Sequence, residues 1–320
     1  MKPLAEFIWL NGALTPWADA KVHVMSHALH YGTSMFEGVR VYDTPDGPCG
    51  FRLTDHIRRL ADSARIYGFD LPYGCDELVA ATKTVVRENG LKSAYVRPIA
   101  WLGACGMSVA PRPDAINVDM AIAAFPWGTY LGEKGQTRGV DVCVSSWFRA
   151  APNTTPTGAK AGGNYLSGFL IGSEAHRRGF AEGIGLSTDG RLSEGAGENL
   201  FLVKDGRLFT PPSASSILTG ITRDTVLTLA RREGVEVVEQ ILPREMLYLA
   251  DEVFFTGTAA EVTPVRSIDE IVTRCGGPGP VTRRLQGLFK GLFDGTTPDD
   301  FGWLEPIYDT EEASRAPVFA

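Results

Sequence analysis

Apolar residues recur at Leu53, Ile57, Leu60, Ala64 and Tyr67, with Arg58, Asp62 and Arg65 on the other side. That period predicts an amphipathic helix. A second helix is predicted over Asp76 to Glu88, and further ones over Leu166 to Arg178 and Ile221 to Glu233. Short runs rich in β-branched and aromatic residues predict strands at Ala94 to Trp101, Val118 to Phe125 and Val140 to Ser146. Gly185 to Ser187, Asn199 to Val203, Val235 to Glu239 and Glu252 to Thr256 read the same way. At the start, Phe7-Ile8-Trp9, the turn Asn11-Gly12 and Val22-His23-Val24 predict a hairpin. Gly38 to Tyr42 then reads as a strand that meets a turn at Thr44 to Pro48.

Strands and helices alternate, but tight turns join several strand pairs. A mixed α+β fold fits this better than a doubly wound parallel sheet. A chain of 320 residues favours two domains. The aperiodic, glycine-punctuated stretch from Pro126 to Gly135 suggests where they join. The expected division is an N-terminal domain at 1–126, a linker at 127–138, a larger domain at 139–308 and a short polar tail at 309–320. Neither an internal repeat nor a low-complexity segment is evident.

Composition narrows the function without naming it. A hydrophobic share of 44% against 22% charged residues is that of an ordinary globular protein. With 38 acidic and 31 basic side chains, the net charge of -7 argues against nucleic-acid or anionic-membrane partners. No run approaches the roughly 18 apolar residues of a membrane span, and MKPLAEFIWLNG lacks the small-residue site of a secretory signal. Five scattered cysteines without a CxxC pair suggest reduced thiols in a cytoplasmic protein.

Candidate chemistry centres on Lys160, within Pro156-Thr157-Gly158-Ala159-Lys160-Ala161-Gly162-Gly163-Asn164-Tyr165. Small neighbours let a bound group approach the amine, as a Schiff-base nucleophile requires. The same pattern also describes an exposed lysine in a flexible loop. In Leu192-Ser193-Glu194-Gly195-Ala196-Gly197-Glu198-Asn199, a carboxylate precedes an apolar strand. Glu194 could keep a pyridine nitrogen protonated, or it could be a solvated turn residue. Gly220-Ile221-Thr222 opens a predicted helix and is either a phosphate cup or a helix cap. Thr256-Gly257-Thr258-Ala259 offers a second cluster of small donors after a strand. Arg59 is either a further phosphate contact or a surface arginine. His23, His27 and His30 have helical spacing, but with no acidic or cysteine companion they read as caps or packed polar residues, and no metal is expected.

In combination these motifs resemble the branched-chain amino-acid aminotransferases, pyridoxal 5'-phosphate (PLP) enzymes of fold type IV. The resemblance runs from about Phe7 to Pro306. It is carried by Tyr31-Gly32-Thr33-Ser34-Met35-Phe36-Glu37-Gly38-Val39-Arg40, Arg59, Ala94-Tyr95-Val96-Arg97-Pro98, Lys160, Ser193-Glu194-Gly195, Gly220-Ile221-Thr222-Arg223 and Gly257-Thr258. It implies a two-domain, D-amino-acid-aminotransferase-like fold, with a small α/β domain and a larger domain built on a β-barrel-like core.

The resemblance also implies roles. Lys160 would carry the cofactor and shuttle the substrate proton, Glu194 would face the pyridine nitrogen, and Tyr165 would bond the phenolic oxygen. Arg59, Gly220, Ile221, Thr222 and Thr258 would hold the phosphate. Phe36, Gly38, Tyr95, Trp127 and Tyr130 would form the side-chain pocket, with Arg40 and Met107 close to it. Tyr31 and Val109 would be contributed by a neighbouring subunit, in a homodimer at least. Arg97 would receive the distal carboxylate of glutamate, and Thr258 and Ala259 the α-carboxylate. The implied reaction is a ping-pong transfer from L-leucine, L-isoleucine or L-valine to 2-oxoglutarate. Ser108 stands where relatives commonly have glycine, which bears on substrate range. D-amino-acid aminotransferases, aminodeoxychorismate lyases and amine transaminases share the lysine and glutamate, as would a non-catalytic PLP-binding protein. Tyr95 to Pro98 and Trp127 to Tyr130 favour the branched-chain reading.

Overall fold

The computed structural model describes residues 3–128 and 132–308. Tyr130 and the tail at 309–320 therefore lie outside the described residues. Among those described, one compact unit takes 3–127, 159–163 and 292–308, and a second takes 128, 132–158 and 164–291.

The first unit opens with β1 (Phe7–Leu10) and β2 (Ala13–Pro16). Asn11 and Gly12 both take positive φ, 46° and 95°, as a two-residue hairpin turn demands. The chain therefore reverses at once and pairs Leu10 with Ala13. The return strand is β2, and not Val22 to Val24 as the pattern of residues predicts. After the short helix α1 (His27–Tyr31) come β3 (Ser34–Phe36), β4 (Val39–Thr44) and β5 (Gly47–Phe51). The helices α2 (Leu53–Ile66) and α3 (Cys75–Glu88) follow, then β6 (Ala94–Leu102) and β7 (Val118–Phe125).

With the last strand, β17 (Leu304–Pro306), these form an antiparallel sheet in the order β17-β5-β4-β6-β7-β1-β2, with β3 beside β6. Leu53, Ile57 and Leu60 of α2 are fully buried, and so are Val85 and Val86 of α3. They share one core with Val39, Val96 and Ile122 of the sheet. Each such side chain contributes about 1.5–3 kcal/mol through burial.

The second unit begins in the expected linker. Gly132–Arg138 is a helix, α4, and Gln136 is buried, donating to the Ala260 carbonyl (2.9 Å) and Thr263 Oγ1 (3.0 Å). The unit's strands are β8 (Val140–Phe148), β9 (Glu182–Leu186), β10 (Leu192–Gly195), β11 (Asn199–Lys204), β12 (Arg207–Thr210), β13 (Val237–Glu239), β14 (Glu252–Gly257), β15 (Glu261–Ile268) and β16 (Ile271–Val272). They form one sheet in the order β10-β9-β8-β15-β14-β11-β12-β13, with β16 beside β15. β8 and β9 are parallel and are bridged by α5 (Tyr165–Arg177). β12 and β13 are parallel and are bridged by α6 (Ile221–Arg232). A helical crossover is the usual way to bring parallel neighbours side by side. The described residues also form the short α7 (Met246–Leu249) and α8 (Pro280–Asp294), two helices beyond those the pattern predicts. The fold is α+β in two units. No helix among the described residues is long and apolar enough to cross a membrane.

Candidate active site

Lys160 is anchored through its backbone. Its N–H donates to Ser63 Oγ (3.0 Å), and its carbonyl accepts from the Phe36 N–H (3.0 Å). Its neighbours Ala159 and Ala161 are buried, and Ala161 bridges Met35 in strand fashion. The flexible-loop reading therefore does not hold. The Lys160 amine lies 5.0 Å from the centre of the Phe36 ring.

The Arg97 guanidinium shares that ring, 4.8 Å from its centre, and lies 5.3 Å from the Tyr95 ring. Arg97 Nη2 donates to Tyr95 Oη at 3.2 Å, and Tyr95 packs on Trp127, ring centres 5.0 Å apart. Among the described residues, Arg97 Nε and Trp127 Nε1 are both buried without a hydrogen-bond partner. Such orphaned donors are costly unless a ligand meets them. Gly38 makes room for this arrangement, since a Cβ there would sit 1.9 Å from Tyr95 Oη. Lys160, Phe36, Gly38, Tyr95, Arg97 and Trp127 thus come together. Arg40 instead places its guanidinium 5.1 Å from the Tyr42 ring.

Arg59 is engaged by the Glu37 carboxylate, to which the motifs assign no role. Its Nε donates to Glu37 Oε1 (2.7 Å) and its Nη2 to Oε2 (2.9 Å). Glu37 is fully buried and also meets His56 Nδ1 at 2.6 Å. Burial pushes the Glu37 carboxyl up, but Arg59 and His56 outweigh it and hold the group well below the usual carboxylate range. Burial lowers His56, with Glu37 pulling partly the other way. No sequence motif points to these partners, because Glu37 and Arg59 lie 22 positions apart.

The loop carrying Met107, Ser108 and Val109 is tied from α1. Tyr31 Oη donates to the Met107 carbonyl (2.9 Å), and His27 Nε2 bonds the Ser108 carbonyl (2.9 Å) while Nδ1 meets Thr33 Oγ1 (2.8 Å). His27 is a packed polar residue. His30 bonds the Val24 carbonyl and His23 accepts from the Met25 N–H. Tyr31 and Val109 are exposed, at 38% and 73%. Ser108 does not take a positive φ, so serine replaces glycine there without backbone strain.

In the second unit Glu194, on β10, is 5% exposed and receives three donors. They are Arg149 Nη2 at 2.6 Å, Asn199 Nδ2 at 3.0 Å and the Leu218 N–H at 3.1 Å. A second bond from Asn199 Nδ2 to the Leu218 carbonyl (2.8 Å) satisfies that amide and ties Glu194 to the chain entering α6. The solvated-turn reading of Glu194 fails here. α6 starts at Ile221 behind Gly220, a residue with no side chain to cap it, and Thr222 is buried. A Cβ at Gly220 would lie 2.0 Å from Asn199 Oδ1. Thr256 Oγ1 is buried with no partner among the described residues, just before the turn that holds Thr258 and Ala259. Tyr165, partly buried, is the first residue of α5. Among the described residues no three His, Cys, Asp or Glu side chains cluster as a metal site.

The first unit thus holds an anchored lysine amine, and the second holds, within itself, a buried and braced carboxylate, a helix start behind a glycine and a buried hydroxyl, each a group of the kind that a phosphate-bearing pyridine aldehyde calls for. Residues 34–268 match the family model described as amino-transferase class IV. The chain belongs to that family. Within the class IV aminotransferases its relatives are of the branched-chain kind. It is 59% identical to the branched-chain-amino-acid aminotransferase of Salmonella typhimurium over 303 residues, 95% of this chain and 98% of that protein. The Escherichia coli branched-chain amino acid aminotransferase crystal structure is similar with a TM-score of 0.94 and 58% identity, covering 95% of this chain and all of that one. The branched-chain amino acid aminotransferase of Thermobaculum terrenum, solved in its PLP form, is similar with a TM-score of 0.88 and 35% identity, over 95% of this chain and 99% of that one.

Proposed function

We propose that this class IV aminotransferase transfers the amino group of L-leucine, L-isoleucine or L-valine to 2-oxoglutarate, with PLP as cofactor. One observation carries the substrate reading: the Phe36 ring that lies beside the Lys160 amine also carries the Arg97 guanidinium. A pocket that alternates between an aliphatic side chain and a glutamate carboxylate needs an apolar surface and a cation within reach of one position. Phe36, Tyr95, Trp127 and Tyr130 would bury the aliphatic chain. Arg97, whose Nε has no partner among the described residues, would take the distal carboxylate. The α-carboxylate would meet Thr258 and Ala259.

When bound, PLP supplies an electron-withdrawing ring that accepts the electron pair released at the substrate Cα. The chain's residues prepare that step. Lys160 would hold the cofactor and then carry the proton between substrate Cα and cofactor C4′. Glu194, braced by Arg149 and Asn199, would keep a proton on the pyridine nitrogen, and Tyr165 would bond the phenolic oxygen. The start of α6 at Gly220, Ile221 and Thr222, with Thr258 and Arg59, would hold the phosphate, where helix N–H groups and dipole favour an anion.

The exposed Tyr31 and Val109 suit contribution to a second copy of the chain, making a homodimer the smallest working form. Its five cysteines are all unpaired, as the reducing cytoplasm would keep them.

The test is to supply L-leucine, L-valine or D-alanine with 2-oxoglutarate and follow both glutamate enantiomers. L-Glutamate from L-leucine is expected. D-Glutamate from D-alanine, or bound PLP without turnover, would overturn the reading. Lys160→Ala is expected to abolish the absorption band of the lysine-bound cofactor, and its persistence would remove Lys160 from that role.

A further inference from the structure

The carboxylate of Glu37 has no place in the reaction as described, yet it is the most completely enclosed acid near Arg59. It is 0% exposed and collects four donors on two oxygens. Arg59 Nε reaches Oε1, while Arg59 Nη2, His56 Nδ1 and the Gly38 N–H reach Oε2. We propose that Glu37 is a positioning residue that sets the Arg59 guanidinium in the orientation needed to grip the cofactor phosphate, with His56 locking the carboxylate from the other side. The inference rests on the reading of Arg59 as a phosphate ligand.

Arginine has a long side chain with several rotatable bonds, and an unbraced one loses much of its freedom on gripping an anion. Here the Nε–Nη2 edge lies flat against one carboxylate, so the plane and direction of the guanidinium are set before a ligand arrives. This parallel pairing matches the rigid fork of arginine and the two oxygens of a carboxylate, a match that lysine cannot reproduce. Because the His56 imidazole meets only acceptor oxygen at Nδ1, that nitrogen carries the proton. The carboxylate is thereby held on both flanks and cannot swing away with the arginine.

The surroundings argue against mere packing. A buried ion pair is rarely the most stable filling for a core, and an apolar substitute often does as well. Glu37 also sits between Phe36, whose N–H holds the Lys160 carbonyl, and Gly38, which clears space for Tyr95 Oη. One three-residue segment therefore sets the lysine, the phosphate arginine and the substrate tyrosine in register.

The experiment compares PLP with pyridoxal, which lacks the phosphate, in protein stripped of cofactor and retitrated while following cofactor absorbance. Glu37→Gln keeps the shape but replaces one acceptor with an amide N–H that faces donors. It is expected to weaken PLP binding by roughly tenfold or more, the scale of one lost charge-assisted hydrogen bond. Pyridoxal binding should stay within about twofold, because only the phosphate contact is affected. Arg59→Met should show the same phosphate-selective loss, and Glu37→Gln added to it should cost little more, as expected for residues acting through one contact. Glu37→Asp, which keeps the charge but not the parallel pairing, serves if Glu37→Gln does not fold, and should also lose PLP selectively. Equal weakening of PLP and pyridoxal would overturn the proposal in favour of a general structural role. An unchanged PLP affinity in the Glu37 variants, with Arg59→Met impaired, would overturn it while leaving Arg59 a phosphate ligand. No phosphate-selective loss in Arg59→Met would remove the reading on which it rests.

Discussion

Replacing Gly38 with alanine should separate the enzyme's two kinds of substrate. The new Cβ would stand 1.9 Å from Tyr95 Oη, where ordinary contact begins at 3.4 Å, so the hydroxyl must retreat by about 1.5 Å. Gly38 does not have a positive φ, so the backbone accepts alanine and the effect is steric. Tyr95 is 7% exposed and lies against Trp127 and Phe125, so its ring has little room to move. Overpacking of this kind costs about 1–3 kcal/mol, which lowers Tm by several degrees. Moving the hydroxyl also breaks its bond with Arg97 Nη2 and redirects the guanidinium. A hydrogen bond to a charged group contributes about 1.5–3 kcal/mol, so kcat/KM for L-glutamate should fall roughly 10- to 150-fold. An aliphatic side chain makes many weak contacts and tolerates the shift, so kcat/KM for L-leucine should fall only a few-fold. Steady-state kinetics with each amino acid as donor give the ratio directly. Equal losses for both donors, or none in a protein that melts several degrees lower, would refute the assignment of Arg97 and Tyr95.

Two further outcomes follow from buried charges. Arg149→Met leaves Glu194 without its guanidinium partner, and removing one member of a buried pair costs about 3–5 kcal/mol; a lowered melting temperature and slower reaction of bound cofactor with L-leucine are expected, read by calorimetry and stopped-flow absorbance. His56 and Glu37 both bind protons less readily in the folded chain than at their ordinary values of 6.5 and 4.5. Because the unfolded chain then takes up more protons, the stability these groups contribute is full above those values and is lost as pH falls below them. Urea midpoints should therefore decline from pH 7 to pH 4, and Glu37→Gln should flatten the decline below about pH 5; a midpoint independent of pH would contradict the buried network.

What was legible in the residues was whatever repeats locally. Leu53, Ile57, Leu60 and Ala64 marked α2 because a helix turns one face to the core every three or four residues. The opening hairpin differs from its pattern because the positive φ at Asn11 and Gly12 turns the chain at once, which makes Ala13–Pro16 the return strand in place of Val22 to Val24. β10 was hidden because all four of its residues are buried, so no alternation marks Leu192 to Gly195. α8 carries a local signal of the same kind as α2, with the buried Leu285, Phe289 and Leu292 at helical spacing. Lys160, Glu194 and the start of α6 were visible because glycines and small residues crowd around them. Their supports were not: Arg149 lies 45 positions from Glu194 and Ser63 lies 97 from Lys160, and no local pattern announces such a pairing.

The segment at 159–163 belongs to the first compact unit, although the residues on both sides of it belong to the second. The same unit takes its last strand from Leu304–Pro306, which pairs with Gly47–Phe51. During synthesis, the first 127 residues thus emerge without the stretch that bridges Met35 and without one edge of their sheet. Phe36 and Ser63, which anchor the backbone of Lys160, therefore precede it by about a hundred residues, and the edge strand of their sheet comes last of all. A chain stalled before Leu304 would consequently carry Lys160 against a sheet still open at one edge, so the support beneath that segment is finished only as synthesis ends.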